Sequence, residues 1–252
     1  MKEIIDKIRL LILLLIEKYS KSSIYYNEEY GETEFISNIQ PLISSYLNYF
    51  KNKKKEVICK INGHQFSKLE TIVLHLFTAD GSSYINNELS SPRPKINTHK
   101  KIIIKVFDNV LKKIERTDNK YVFRMDYNAN DNIENVICFF NLQKNKIINI
   151  PWFLSTTEHS ALWGNKIVWK IHIINNQITK ARHFYPYVGN HGDEKEIRFE
   201  RDTKLKIIEV EKFRDVNSQN YYVIHMEESY SIKYDANLNY GIYSIDCNPA
   251  LK

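Results

Sequence analysis

Lys166-Ile167-Val168-Trp169-Lys170-Ile171-His172-Ile173-Ile174 sets Ile167, Trp169, Ile171 and Ile173 at every second position, between neighbours that are on the whole less apolar. That period is the one a half-buried β-strand requires, because successive side chains leave a strand on opposite faces. Working outward, segments 121–126, 147–154, 195–199, 204–210 and 221–227 also read as strands. The earlier half of the chain keeps the other period. Ile4, Ile8, Leu11 and Leu15 recur at helical spacing, with Lys2, Lys7 and Arg9 elsewhere on the wheel. Phe35, Ile36, Ile39, Leu42, Ile43, Tyr46, Leu47 and Phe50 make a second stripe, in which Pro41 kinks the helix or starts its second part. Phe66, Leu69, Ile72, Val73, Leu76 and Phe77 make a third. Beyond a loop punctuated by Pro92 and Pro94, a fourth carries Ile103, Val106, Phe107, Val110, Leu111 and Ile114. Helices first and strands afterwards predict an α+β fold, not the alternation of a doubly wound sheet.

Composition narrows the function classes. With 252 residues, 43% of them apolar, the chain builds a real core and is no disordered tail. A net charge of +6 falls short of a nucleic-acid-binding balance. The densest basic run, at 51–55, reads as a solvated face beside a helix end. Cys59, Cys138 and Cys247 are an odd, widely spaced set without C-x-x-C, which speaks against a disulfide framework and against a zinc site. The apolar run at 10–16 is too short to span a bilayer. Glu3 and Asp6 ahead of it are unlike a secretory leader, and no small-x-small cleavage site follows. Cytoplasmic residence and export or injection as an effector both stay open. Neither G-x-G-x-x-G nor a P-loop pattern occurs, so a bound nucleotide would not sit in a Rossmann or P-loop site.

Three short segments carry chemistry. Tyr121-Val122-Phe123-Arg124-Met125-Asp126 places one guanidinium in an otherwise apolar strand, where it needs a phosphate-like anion or a carboxylate at the core edge. Phe153-Leu154-Ser155-Thr156-Thr157 ends a strand in a row of hydroxyls, able to bond a ligand, hold a carboxylate, or close a local turn. In Gly192-Asp193-Glu194-Lys195-Glu196-Ile197-Arg198-Phe199, two carboxylates one residue apart share a strand face; they divide acid/base and electrostatic duties, or they are a solvated surface pair.

Taken in order, Arg124, then Ser155-Thr156-Thr157, then Glu194-x-Glu196, the segments resemble the arginine-type mono-ADP-ribosyltransferases. That family includes bacterial actin-modifying toxins and vertebrate ecto-enzymes. The similarity runs over about residues 60–230. It takes in Phe77-Thr78 with Tyr84-Ile85-Asn86-Asn87-Glu88-Leu89, similar to the helix pair before the first strand. It also takes in Thr203-Lys204-Leu205-Lys206-Ile207 after the carboxylates. The resemblance implies a two-sheet ADP-ribosyltransferase β-core with an NAD cleft, formed by residues 59–252, with 1–58 as an N-terminal helical segment packed on it. The chain departs from the family pattern at Met125, where Gly is frequent, at Thr157, where Ser is usual, and at Arg198, where an aliphatic residue is common.

What the resemblance implies for the site is specific. NAD is the substrate, Arg124 grips its phosphates, and Glu196 stabilises the positive charge that grows on the ribose as nicotinamide leaves. Ser155 holds Glu196, and Ser155, Thr156, Thr157 and Trp163 line the dinucleotide. Glu194 orients and deprotonates an acceptor arginine, and His191 contacts the target protein; the loop at 185–193, with Gly189 and Gly192, is the docking element. No metal is needed, and a monomer acting on another protein is expected. An NAD glycohydrolase, or a non-catalytic interaction protein on the same fold, are the rival readings; Met125 and Arg198 favour the second of these. All of it requires Arg124, Ser155 and Glu196, from separate strands, to meet.

Overall fold

The computed structural model describes residues 59–61, 64–66, 70, 73–74, 77, 81–91, 93–94, 96, 98–126, 133–160, 166–184, 195–214 and 220–238. The predicted helices within 1–58 lie outside these residues, as do Trp163, His191, Glu194 and the loop at 185–193. The described residues fall into two compact units, one drawn from 59–88 and 95–114, the other from 89–94 and 115–238.

The first unit holds a hairpin, β1 (Cys59–Ile61) against β2 (His64–Phe66), the helix α1 (Gly81–Leu89) up to Glu88, and α2 (Thr98–Lys113). α2 follows the expected stripe: Ile103, Val106, Phe107, Val110 and Leu111 are all buried, and so is Ile114 just past its end. Phe107 stacks on Phe77, and Lys113, in the last turn where a cation suits the helix dipole, pairs with Glu70 at 2.6 Å. The third stripe places Phe66 at the start of a helix. In the structure it ends β2 instead, and Glu70, Val73, Leu74 and Phe77 carry the helical conformation after it.

The second unit is a curled mixed sheet of nine strands with one described helix, α3 (Ile133–Leu142). In chain order the strands are β3 (Tyr121–Met125), β4 (Ile147–Ile150), β5 (Ser155–Thr157), β6 (Ile167–His172), β7 (Ala181–His183), β8 (Glu196–Phe199), β9 (Thr203–Arg214), β10 (Asn220–Ser229) and β11 (Ala236–Asn237). Their order across the sheet is β11-β4-β9-β10-β6-β3-β5-β8-β7. β6 runs parallel to β10 and β11 parallel to β4; the other pairs are antiparallel. The ladder thins to a single pair, Phe123↔Thr157, where β3 meets β5. The two sheets of the expected core are thus the two sides of this junction, six strands on one and β5, β8 and β7 on the other.

The curl is visible in one contact. Glu228, on β10, accepts hydrogen bonds from the Thr179 hydroxyl at 2.6 Å and the Lys180 amide at 2.8 Å, just ahead of β7 at the far end of the sheet. Burial pushes the Glu228 carboxyl up, outweighing those donors and the Tyr230 hydroxyl.

Pro151 corrects one expectation. The predicted strand at 147–154 ends at Ile150, because proline offers no ladder N–H. The chain leaves β4, which pairs with β9, buries Trp152, Phe153 and Leu154, and re-enters as β5 on the other side of the junction. β9 and β10 are longer than foreseen, with a register shift between His225 and Met226.

β6 is the strand the core is built on. Ile167, Trp169 and Ile171 are fully buried, and Phe140 of α3 meets the Trp169 ring edge-on at 5.7 Å. Removing that phenyl ring opens a cavity against the sheet. Phe140→Ala should therefore cost about 3–5 kcal/mol of stability, measured by urea unfolding with the slope unchanged.

Candidate active site

β3, β5 and β8 are consecutive in the sheet, and each carries one of the residues singled out above. Arg124 donates from Nη1 to the backbone carbonyl of Ser155 at 2.9 Å. Ser155 in turn donates its hydroxyl to Glu196 Oε1 at 2.5 Å. The three residues form one hydrogen-bonded series, although the guanidinium reaches the backbone of Ser155 and not its side chain.

For Arg124 the sequence allows either an anion or a core-edge carboxylate. Among the described residues no carboxylate pairs with it. Its guanidinium lies over the Trp169 ring at 5.6 Å, and its Nε is buried without a hydrogen-bond partner among those residues. A half-buried cation with donors to spare suits an anion such as a phosphate.

The three hydroxyls divide. Ser155 serves Glu196, and Thr157 shares its strand face by alternation. Thr156 points the other way, is buried, and donates to the Ile197 carbonyl at 2.6 Å. The Thr157 hydroxyl accepts from the His159 amide at 3.1 Å, the local turn a strand end invites.

Glu196 is held on one side only. Oε1 accepts from Ser155 and from Arg198 Nε at 2.9 Å, and Arg198 Nη2 closes on the same oxygen. Oε2 has no donor among the described residues. The Arg198 contact is not foreseeable from the motif. The residue stands out in the sequence only as a cation where an aliphatic side chain is common.

A second feature escapes the sequence reading. Glu158, directly after the hydroxyl row, pairs with Lys195 at 3.0 Å and accepts from Asn119 Nδ2 at 3.0 Å. The Glu158 amide donates to the Lys195 carbonyl at 3.4 Å. Lys195 sits at φ 44°, a left-handed turn that costs a side chain with a Cβ some strain and points the chain into β8 at Glu196. The brace ties the start of β8 to the end of β5 and the approach to β3.

Another side-chain group could take a metal. Glu209, Glu211 and His225 bring ligand atoms within 4.8 Å of one another, on the β9–β10 ribbon that β6 separates from β3. None of the site residues above belongs to it. Among the described residues no helix is long and apolar enough to cross a membrane.

Burial raises the Glu158 carboxyl, but the hydrogen bonds from Lys195 and Asn119 and the Lys195 charge outweigh it, so the net displacement is below the ordinary 4.5. A carboxylate lowered in the folded state stabilises fully above its unfolded value and loses that contribution as the pH falls through the folded one. Glu158→Gln should thus be less stable than the parent at pH 7. The deficit should close as the pH drops below about 4.5 in paired thermal melts.

Comparison with known proteins adds to this geometry. The family model described as ADP-ribosyltransferase exoenzyme matches residues 44–229. Among solved structures, Plx2a, an ADP-ribosyltransferase toxin from Paenibacillus larvae, superposes with a TM-score of 0.53 at 15% identity, covering 77% of this chain and 96% of its own. The C3 exoenzyme of Clostridium limosum gives 0.52 at 17% identity, over 74% of this chain and 94% of its own. An ADP-ribosyltransferase from Clostridium botulinum gives 0.51 at 20% identity, over 73% of this chain and 94% of its own. At such identities these likenesses speak for the fold. No curated protein sequence matches the chain.

Proposed function

The chain belongs to the ADP-ribosyltransferase exoenzyme family, enzymes that use NAD as substrate, and from that premise we propose that it transfers ADP-ribose to an arginine of a target protein. The observation that carries the reading is the series Arg124–Ser155–Glu196, contributed by adjacent strands.

NAD supplies the scissile nicotinamide–ribose bond, and positive charge grows on the ribose as that bond breaks. Glu196 presents Oε2, which has no donor among the described residues, to this charge and to the neighbouring ribose hydroxyl, while Ser155 fixes the other oxygen. Arg124 keeps one donor on the strand and turns its remaining donors to the phosphates. Thr157 shares the Ser155 face and reaches the dinucleotide from there. The Thr156 hydroxyl, committed to Ile197, contributes through the strand it locks. Trp163 stacks near the dinucleotide.

The acceptor is read from Glu194. A guanidinium stays protonated at ordinary pH and is a poor nucleophile until a carboxylate orients it and takes its proton. Glu194 supplies that carboxylate, and His191 on the preceding loop meets the target protein. Residues 59–252 act as the catalytic domain, with 1–58 as a helical addition.

Glu196→Gln keeps shape and hydrogen-bonding capacity but removes the charge. It should lower transfer to protein by about 10²-fold or more while NAD still binds, followed by label incorporation and by calorimetric titration. Full activity in that variant would refute the role of Glu196. Glu194→Gln should lose arginine modification yet keep slow release of nicotinamide. Mass spectrometry of a lysate treated with NAD and each variant reads both. Label found only as free ADP-ribose with the parent protein would make it a glycohydrolase.

A further inference from the structure

Glu196 and Arg198 stand two residues apart on β8 and share a face, while Ile197 and Phe199 turn to the core. The side chains of the pair are 12% and 5% exposed, so a guanidinium has been buried directly against the carboxylate on which the proposed chemistry depends. A buried cation is tolerated only with a partner. Glu200, further along the same face, instead accepts from Arg182 Nε at 2.9 Å, and Arg182 is the cross-strand neighbour of Arg198. The Phe184 ring, 4.7 Å from the Arg198 guanidinium, closes another side. Arg198 donates to Glu196 Oε1 from Nε at 2.9 Å, and the ladder places Ser155 directly across from Arg198 on β5.

We propose that Arg198 is a positioning residue, which together with Ser155 pins Oε1 of Glu196 and so determines that Oε2 is the oxygen facing the substrate. This rests on the transferase reading above. Two effects of the guanidinium oppose each other. Its charge weakens the pull of Glu196 on a developing cation, so deleting it would raise the rate if field strength were all that mattered. Its fork fixes the carboxylate plane, so deleting it lowers the rate if orientation dominates. Orientation wins here, because an unpinned carboxylate on a strand end swings by more than the tolerance of such a reaction.

Steady-state release of nicotinamide from NAD by the full-length protein decides the matter, using Arg198→Met, Arg198→Lys, Ser155→Ala and the double variant Ser155→Ala/Arg198→Met. Arg198→Met should lower kcat about tenfold or more with KM for NAD within about twofold of the parent. Arg198→Lys should recover part of the loss, since it keeps a charged donor but not the fork. The double variant should fall little below the worse single one, because both side chains act through one oxygen. A kcat at or above the parent's, a loss confined to KM, or a fully multiplicative double loss would each overturn the assignment. Should Arg198→Met not fold by thermal melt, Arg198→Lys alone and combined with Ser155→Ala give the same reading. A parent protein that releases no nicotinamide would sink the transferase reading itself, whereas an active parent indifferent to Arg198 sinks only this inference.

Discussion

The hydrogen bond from Ser155 to Glu196 Oε1 ties the second strand of the site to the third, and much of the local architecture serves to make it possible. It needs β5 to lie beside β8 in the register Thr157↔Glu196, with Ser155 further along the ladder opposite Arg198. That register needs Thr156 to face away and lock onto the Ile197 carbonyl. It also needs the turn at Lys195, braced by Glu158 and Asn119, to deliver Glu196 at the first rung of its strand. A strand of three residues cannot hold such a register through its own ladder alone. The side-chain bonds on both faces of β5 supply what its length does not.

This arrangement puts charge where burial is expensive. Arg124, Arg182, Arg198 and Glu228 all sit in or at the edge of the core, and they are reconciled by pairing, by aromatic faces or by backbone donors. Along one face of β8 the sequence Glu196, Arg198, Glu200 alternates in sign, and Arg182 across the ladder completes the set. An alternating row satisfies each charge locally.

The parts legible in the sequence are those where a long period repeats. β3, β6 and β10 and the stripe of α2 show in this way, since burial on one face forces the spacing; the order of the three motifs has meaning only through the family resemblance. The segment 147–154 misleads because an apolar run does not by itself reveal that Pro151 divides it between two neighbours. β7, three residues with Arg182 in the middle, is too short to show a period. α3 escapes notice because Ile133–Leu142 is apolar at most positions, so the two residues it buries, Val136 and Phe140, do not stand out as a stripe. Pair choices are a harder case. The meeting of Glu196 with Ser155 follows from resemblance, but nothing in the spacing says that Arg198 takes Glu196 and not Glu200. Glu200 pairs instead with Arg182, which arrives from another part of the chain.

The lone rung between β3 and β5 has a consequence for Arg124. Where two strands diverge, carbonyls that would ordinarily be capped by the neighbouring strand are left to find other donors, and the Ser155 carbonyl finds a guanidinium. The side chain thereby works as mortar in the wall it protrudes from. Its substitution removes a masonry joint along with any grip on a ligand, so an inactive Arg124 variant speaks about catalysis only after its sheet has been shown to be intact.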